Sequence, residues 1–311
     1  MPQGSILGPL LFLIFINDIF LEDGLTDIDI FADDAVAHKE GKTRDQIAVK
    51  LQECADSFQG WCLKNFMVLS VEKTKTLNIS SRQKVIQNRA DNSSTKIIIN
   101  NIEINEVDST KLLGIKINNN LSWDGQVAQV KKHASYRLSI LRKIRKYLPF
   151  ETRVQFYNYY VKPIIEYCYS IWGNCTKENT LKITRIQKKA ARLILDADPL
   201  TPSKIMFQNL KWLPFDEIVR FKQACLVFKA LGGSVPPYIC NMFLNIKHHT
   251  KYTLRSSTNS NLFVPRTHHK SLSYTGVAIW NTLPENVKSA KTFKKFKKLY
   301  VESMLDKLKN S

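Results

Sequence analysis

Residues 27–37 read Asp27-Ile28-Asp29-Ile30-Phe31-Ala32-Asp33-Asp34-Ala35-Val36-Ala37. Polar and apolar positions alternate from Asp27 to Phe31, and apolar character resumes at Ala35. Alternation on both sides of a short polar break predicts two strands joined by a tight turn. The predicted turn carries Asp33 and Asp34, so a rigid base presents two carboxylates side by side. Adjacent carboxylates repel each other, and a divalent cation removes that cost while using the oxygens as hard ligands. Hard oxygen donors favour Mg²⁺, with Mn²⁺ as a substitute. Taken alone, the dipeptide is better explained as an ordinary solvated turn, because Asp is a favoured turn residue.

Working outward, Leu10 to Phe20 reads as a buried helix entered through Pro9, a residue suited to a first helical turn. Thr43 to Leu63 reads as a helix with Ile47, Leu51, Cys54, Ala55, Phe58 and Cys62 on one side. Lys96–Ile99 and Ile102–Ile104 predict a hairpin around Asn100-Asn101, residues that tolerate positive φ. Lys111 to Ile117 predicts one further strand. This part of the chain is therefore α+β.

Beyond it the pattern is almost all helical. Val127, Val130, Ala134, Leu138, Leu141 and Leu148 form an apolar stripe, with Lys131, Lys132, Arg137, Arg142, Lys143 and Arg145 largely around it. Phe156 to Trp172 reads as a more apolar helix, bent or broken near Pro163. Leu181 to Leu195 and Phe215 to Leu231 follow, the latter stopped by Gly232-Gly233. Ser256 to Ser260 reads as a loop. Phe293, Phe296, Tyr300, Leu305 and Leu308 mark a last helix whose other faces are rich in Lys.

The charge follows the same division. Of 311 residues, 46 are Lys or Arg and 27 Asp or Glu, a net of +19. Residues 1–130 hold 13 basic and 17 acidic residues, a net of −4, so residues 131–311 carry +23. A strongly basic half predicts a polyanionic partner, nucleic acid before membrane. Tyr136, Tyr147, Tyr157, Tyr159, Tyr160 and Trp172 lie among those cations. Exposed rings there would stack on bases, but helical periodicity assigns most of them to the core.

With 44% apolar residues the chain is neither disordered nor collagen-like. Its six cysteines are too scattered for a disulfide framework or a Cys-x-x-Cys site, which suits a reducing compartment. The spacings of His133, His248, His249, His268 and His269 with Cys225 and Cys240 fit no zinc knuckle. The apolar run Ile6–Ile16 is shorter than the roughly 20 residues of a membrane span. It has no preceding Lys or Arg, and Asn17-Asp18-Ile19-Phe20 is no small-residue cleavage site, so a secretory signal is disfavoured. A nuclear or cytoplasmic protein, not secreted and without a membrane partner, is expected.

Pro2-Gln3-Gly4-Ser5-Ile6-Leu7-Gly8-Pro9-Leu10-Leu11-Phe12, followed by Phe31-Ala32-Asp33-Asp34, resembles the reverse transcriptases of non-LTR retrotransposons, the LINE class. Trp61, Asn65 and Lys73-Thr74, then Lys111-Leu112-Leu113-Gly114-Ile115-Lys116-Ile117 and Leu121-Ser122-Trp123, are similar to the family's next blocks, in its order. Val264-Pro265-Arg266-Thr267, Ile279-Trp280-Asn281-Thr282-Leu283-Pro284 and Phe293-Lys294-Lys295-Phe296 resemble the tail of jockey-like elements.

The resemblance implies a partial palm over residues 1–125, a basic thumb-like helical region over 126–213 and a C-terminal helical region over 214–311. It implies an RNA-directed DNA polymerase working on an RNA template, a DNA primer and deoxynucleoside triphosphates by two-metal nucleotidyl transfer. Asp33 and Asp34 would bind the catalytic metals, Mg²⁺ or Mn²⁺. Gln3, Gly4 and Ser5 would lie beside the incoming nucleotide and template. Lys73 would be a proton donor near the pyrophosphate, and Lys111 and Gly114 would help hold the primer end. Each has a plainer rival: a loop for Gln3-Gly4-Ser5, a solvated charge for Lys73, a strand bulge for Gly114.

The chain also departs from the family. A third metal-binding aspartate lies upstream of the Pro-Gln-Gly block in that family, and that block here starts at Pro2. The expectation is a truncated enzyme, inactive alone or dependent on a missing N-terminal polymerase fragment. A palm without its first strand would leave a sheet edge open and Leu10–Ile16 short of partners. Ser70 stands where Asn is frequent, Asp124-Gly125 interrupts the block after Trp123, and no endonuclease region is present. The rival reading is a non-catalytic nucleic-acid-binding protein that uses the basic helical half.

Overall fold

The computed structural model describes residues 4–25, 27–90, 95–246, 260–267, 269 and 271–310. The chain divides into two compact units, Met1–Leu121 and Ser122–Ser311. Residues 126–213 and 214–311 thus fall within one unit.

The first unit opens with α1 (Gly8–Ile16), with Pro9 in its first turn, continuing into a 3₁₀ turn over Asn17–Leu21. Strands β1 (Ile28–Phe31) and β2 (Asp34–Ala37) form an antiparallel hairpin. Helix α2 (Arg44–Lys64) is capped by the Thr43 hydroxyl, which accepts from the Gln46 N–H. It ends in a Schellman motif: Asn65 is the cap, Phe66 takes φ +55°, and the Met67 N–H reaches the Cys62 carbonyl at 2.8 Å. Helix α3 (Arg82–Ala90) shows no apolar stripe and was not legible from periodicity.

Two further hairpins complete the unit. Strands β3 (Ile98–Ile99) and β4 (Ile102–Glu103) pair around Asn100 and Asn101, both at positive φ, as the sequence predicts. Strands β5 (Ser109–Leu112) and β6 (Ile115–Asn118) pair across Leu113-Gly114. The expected single strand over Lys111–Ile117 is thus corrected to a hairpin. Leu113 (φ +43°) and Gly114 (φ +85°) both take the left-handed conformation that a two-residue turn of this kind needs. A leucine hides that turn from propensity, so Gly114 is a turn residue and not a bulge.

The α+β class holds, but among the described residues the strands form three separate two-stranded sheets. Isolated hairpins are marginal in water, and the first two pack on α2. One side of that helix (Cys54, Phe58, Trp61, Cys62) joins Ile16, Ile19, Leu25, Ile28 and Ile30. Another side (Ala48, Leu51, Ala55) meets Ile97, Ile99 and Ile104 of the β3–β4 region. The expected burial of α1 is corrected as well. Only Ile16 within it is buried, while Leu10, Leu13 and Ile14 are exposed. The helix is apolar on every side but meets the cluster only through Phe12 and its C-terminal end.

The second unit begins with α4 (Asp124–Ile144), whose Val127, Val130, Ala134, Leu138 and Leu141 are buried as the stripe predicts, whereas Leu148 lies past the helix end, in extended backbone, and is half-buried. The expected helix from Phe156 to Trp172 is broken more than once. It comprises α5 (Phe150–Phe156), a π-helical turn over Tyr157–Val161, α6 (Lys162–Glu166) and α7 (Tyr169–Trp172). Pro163 sits in the first turn of α6, where a missing N–H is harmless, and the later break is at Cys168, with φ +46°.

There follow α8 (Lys177–Leu195), α9 (Ser203–Leu210), α10 (Phe215–Leu231), α11 (Pro237–Cys240), α12 (Leu272–Asn281), α13 (Glu285–Lys288) and α14 (Phe293–Asn310). Phe296 and Tyr300 of α14 are buried with Val227 of α10 and Trp280 of α12, and Phe296 stacks on Phe228 at 4.5 Å. Burial pushes the Cys225 thiol of α10 up to about 11, an inert core thiol. The predicted loop at 256–260 lies outside the described residues except for Ser260, and so do His248, His249 and His268.

Candidate active site

The β1–β2 register pairs Phe31 with Asp34, which leaves Ala32-Asp33 as a two-residue turn. Asp33 is therefore in the turn as expected, whereas Asp34 is corrected to the first residue of β2. The pairing decides the faces. Ile28 and Ile30 point into the cluster around Trp61, opposite Ala37 and Ala35. Asp29, Phe31, Asp34 and Val36 share the other face. Asp33 and Asp34 are both exposed, and among the described residues neither carboxylate has a hydrogen bond or ion pair.

Ala32 has φ +52°, unusual for a residue with a Cβ. Such strain persists only where the surroundings impose it. Below the turn, the indole N–H of Trp61, itself 2% exposed, donates to Oδ1 of Asp18 at 3.2 Å, and Phe15 packs 6.0 Å away. At the open end, the His38 N–H extends the ladder to the Asp27 carbonyl at 3.0 Å. Lys39 Nζ donates to Asp27 Oδ2 at 2.8 Å. That hydrogen bond, and then the lysine charge, hold the Asp27 carboxyl below its ordinary value, and the same bond raises Lys39. Burial raises the thiols of Cys54 and Cys62 beneath the hairpin.

The other sequence-predicted residues are dispersed over the unit. Gly4 (φ +87°) and Ser5 are exposed ahead of α1, and Gln3 lies outside the described residues. Lys73 is exposed in a turn held by the Lys73 and Thr74 N–H groups donating to the Ser70 carbonyl. Lys111 points out from β5, and Gly114 is at the adjoining turn. No ladder joins the β1–β2 and β5–β6 hairpins. Among the described residues no group of three His, Cys, Asp or Glu side chains converges to hold a metal ion, so Asp33 and Asp34 form a pair.

The reverse transcriptase (RNA-dependent DNA polymerase) family matches residues 1–117, the span that contains this hairpin, α2 and the β5–β6 turn. Residues 1–117 are similar to reverse transcriptases, of the non-LTR retrotransposon kind. The chain is 23% identical over 225 residues to the probable RNA-directed DNA polymerase from transposon X-element of Drosophila melanogaster, covering 70% of this chain and 24% of that protein. It is 25% identical over 220 residues to the RNA-directed DNA polymerase from mobile element jockey of the same species, covering 68% and 23%. It is 26% identical over 145 residues to a Pol polyprotein from a type-1 retrotransposable element, R1 2, of Nasonia vitripennis, covering 46% and 35%. The chain spans about a quarter of the length of the two Drosophila relatives. No solved structure matches it.

Within the matched segment, sequence reasoning passed over two residues. Phe31 is 65% exposed on the carboxylate face, and Ala32 takes the strained turn position. Strict alternation, carried one residue further, signals the first; nothing in the sequence signals the second. The basic unit corrects another expectation. Tyr157 and Trp172 are buried, but Tyr136, Tyr147, Tyr159 and Tyr160 are exposed, so most of the six rings are not core. Among the described residues no helix is long and apolar enough to cross a membrane.

Proposed function

We propose that the chain contributes Asp33 and Asp34 to the nucleotidyl-transfer site of an RNA-directed DNA polymerase acting on an RNA template, a DNA primer and deoxynucleoside triphosphates. The observation that carries this reading is the hairpin, seated on the Trp61 cluster through Ile28 and Ile30, that presents Asp33 from its strained turn and Asp34 from the start of β2, both exposed and without protein partners among the described residues. Hard, adjacent oxygens suit Mg²⁺ or Mn²⁺, and Mg²⁺ tolerates a small protein ligand set because it keeps several waters. A bound divalent ion would supply charge neutralisation at the triphosphate and acidify the primer 3′-hydroxyl. Gln3, Gly4 and Ser5 would line the nucleotide, and a glycine there lets the backbone approach closely. Lys73 would donate a proton toward the leaving pyrophosphate, while Lys111 and Gly114 would support the primer end.

Two carboxylates are one fewer than the family's metal site uses. The chain alone is therefore expected not to extend a primer, needing a third carboxylate from another polymerase segment. Mn²⁺ binding followed by electron paramagnetic resonance tests the site. Weak binding that disappears in Asp33→Asn/Asp34→Asn supports it, and undiminished binding in that variant overturns it. Primer extension by the unaided chain, abolished by Asp33→Ala, would remove the need for a third ligand.

A second reading, nucleic-acid binding without catalysis, is favoured by the exposed tyrosines and positive charge of residues 131–311. Loss of Mn²⁺ binding with retained nucleic-acid binding separates the two.

A further inference from the structure

The π-helical turn over Tyr157–Val161 carries three tyrosines in different surroundings. Tyr157 is buried against Trp212, with ring centroids 4.1 Å apart, whereas Tyr159 and Tyr160 face outward. Tyr159 is 72% exposed and Tyr160 is 56% exposed. Tyr160 already stacks on Phe156 at 5.1 Å and still has ring area left over. Such insertions in helices concentrate at functional positions.

The turn is tied to α4. The Arg137 guanidinium donates to the Tyr160 carbonyl, bridging the two elements. Beside Arg137 on α4 is Tyr136, 68% exposed. Lys132 and Lys143 lie four residues before it and seven after, so the three exposed side chains share a stripe. Aromatic rings on a rigid helical frame, alternating with cations that have exposed side chains, match a nucleic-acid strand in both of its chemistries. The rings take base faces and the cations take phosphates. In a duplex the base faces are already stacked, so open rings discriminate for unpaired nucleotides.

We infer that Tyr159 and Tyr160, with Tyr136, Lys132 and Lys143 of α4, form a stacking shelf for the unpaired bases of a single-stranded nucleic acid. The inference rests on the nucleic-acid-binding part of the proposed function and adds a location and a strand preference to it.

Fluorescence anisotropy on the full chain tests it, with a labelled 20-nucleotide single strand and a blunt duplex of the same length as probes. Tyr159→Ala/Tyr160→Ala is expected to lose single-strand affinity by roughly tenfold for each ring removed, with duplex affinity changed less than about twofold. Tyr159→Phe/Tyr160→Phe, which keeps both rings, is expected to bind as the unaltered chain does. Lys132→Gln/Lys143→Gln is expected to weaken both probes and flatten the salt dependence, which the tyrosine variants leave in place. Equal losses on both probes, or no loss in the alanine variant, overturn the shelf while leaving nucleic-acid binding intact. An unaltered chain that binds neither probe overturns the nucleic-acid reading itself. Circular dichroism spectra matching the parent confirm that the exposed substitutions leave the helices folded, and the phenylalanine variant reads out stacking whatever the alanine variant does.

Discussion

Ala32 carries the backbone strain of the carboxylate turn. A left-handed φ costs a residue with a Cβ about 1–2 kcal/mol, whereas glycine adopts it freely. Ala32→Gly is therefore expected to stabilise the chain by up to about 1 kcal/mol, net of the extra freedom glycine has when unfolded. A higher urea midpoint checks it, and a lower one would mean that the alanine methyl packs usefully. A few residues away, the Asp27–Lys39 bond sets a pH dependence. The folded Asp27 value is below 3.8, so its contribution is complete above that pH and is lost as pH falls through the lower folded value. Lys39 is raised above 10.5, so its contribution is present below that pH and fades above it. The stability gap between the parent and Lys39→Met should thus be flat through neutral pH and close at both extremes. A gap that closes near neutral pH would assign the effect to other groups.

At the scale of elements, α2 supports the carboxylate hairpin on one side and the β3–β4 hairpin on another, which explains how strands of two to four residues persist without a common sheet. The junction of α7 with α10 is equally close. A Cβ added at Gly173 would collide with the Tyr169 carbonyl and come within 2.6 Å of Val219. Gly173→Ala is expected to cost about 1–3 kcal/mol, because a packed core accepts extra volume only by shifting its neighbours. Denaturant unfolding gives the value; a neutral substitution would show that α7 can move away from α10 without cost.

For the whole molecule, charge is the deciding quantity. A net of +23 over residues 131–311 predicts that nucleic-acid affinity falls linearly with the logarithm of salt concentration. Each phosphate contact on a single strand adds about −0.7 to that slope. A slope of several units, shared by RNA and DNA of unrelated sequence, is expected from binding isotherms at increasing salt. A flat response would leave the basic surface without a polyanion to bind.

Hydrophobic periodicity and turn chemistry are local, and what they encode was legible: the β1–β2 and β3–β4 hairpins, the apolar stripe of α4, the glycine stop after α10, and the candidate carboxylates themselves. Ordered blocks over residues 1–117 were also legible, because residue identity at fixed spacing survives where overall identity is low. The positive φ of Ala32 and Leu113 was not, since residues that ordinarily avoid that conformation take it only under the constraint of a paired ladder. The exposure of α1 was hidden because an apolar sequence reports what a helix would gain by burial, not whether a neighbour is there. Which tyrosines face solvent depended on packing partners: Tyr157 is stacked on Trp212 in the core, while Tyr159 and Tyr160 of the same π-helical turn are left exposed. Local pattern determined the elements and their chemistry; tertiary packing decided which faces were left open to act.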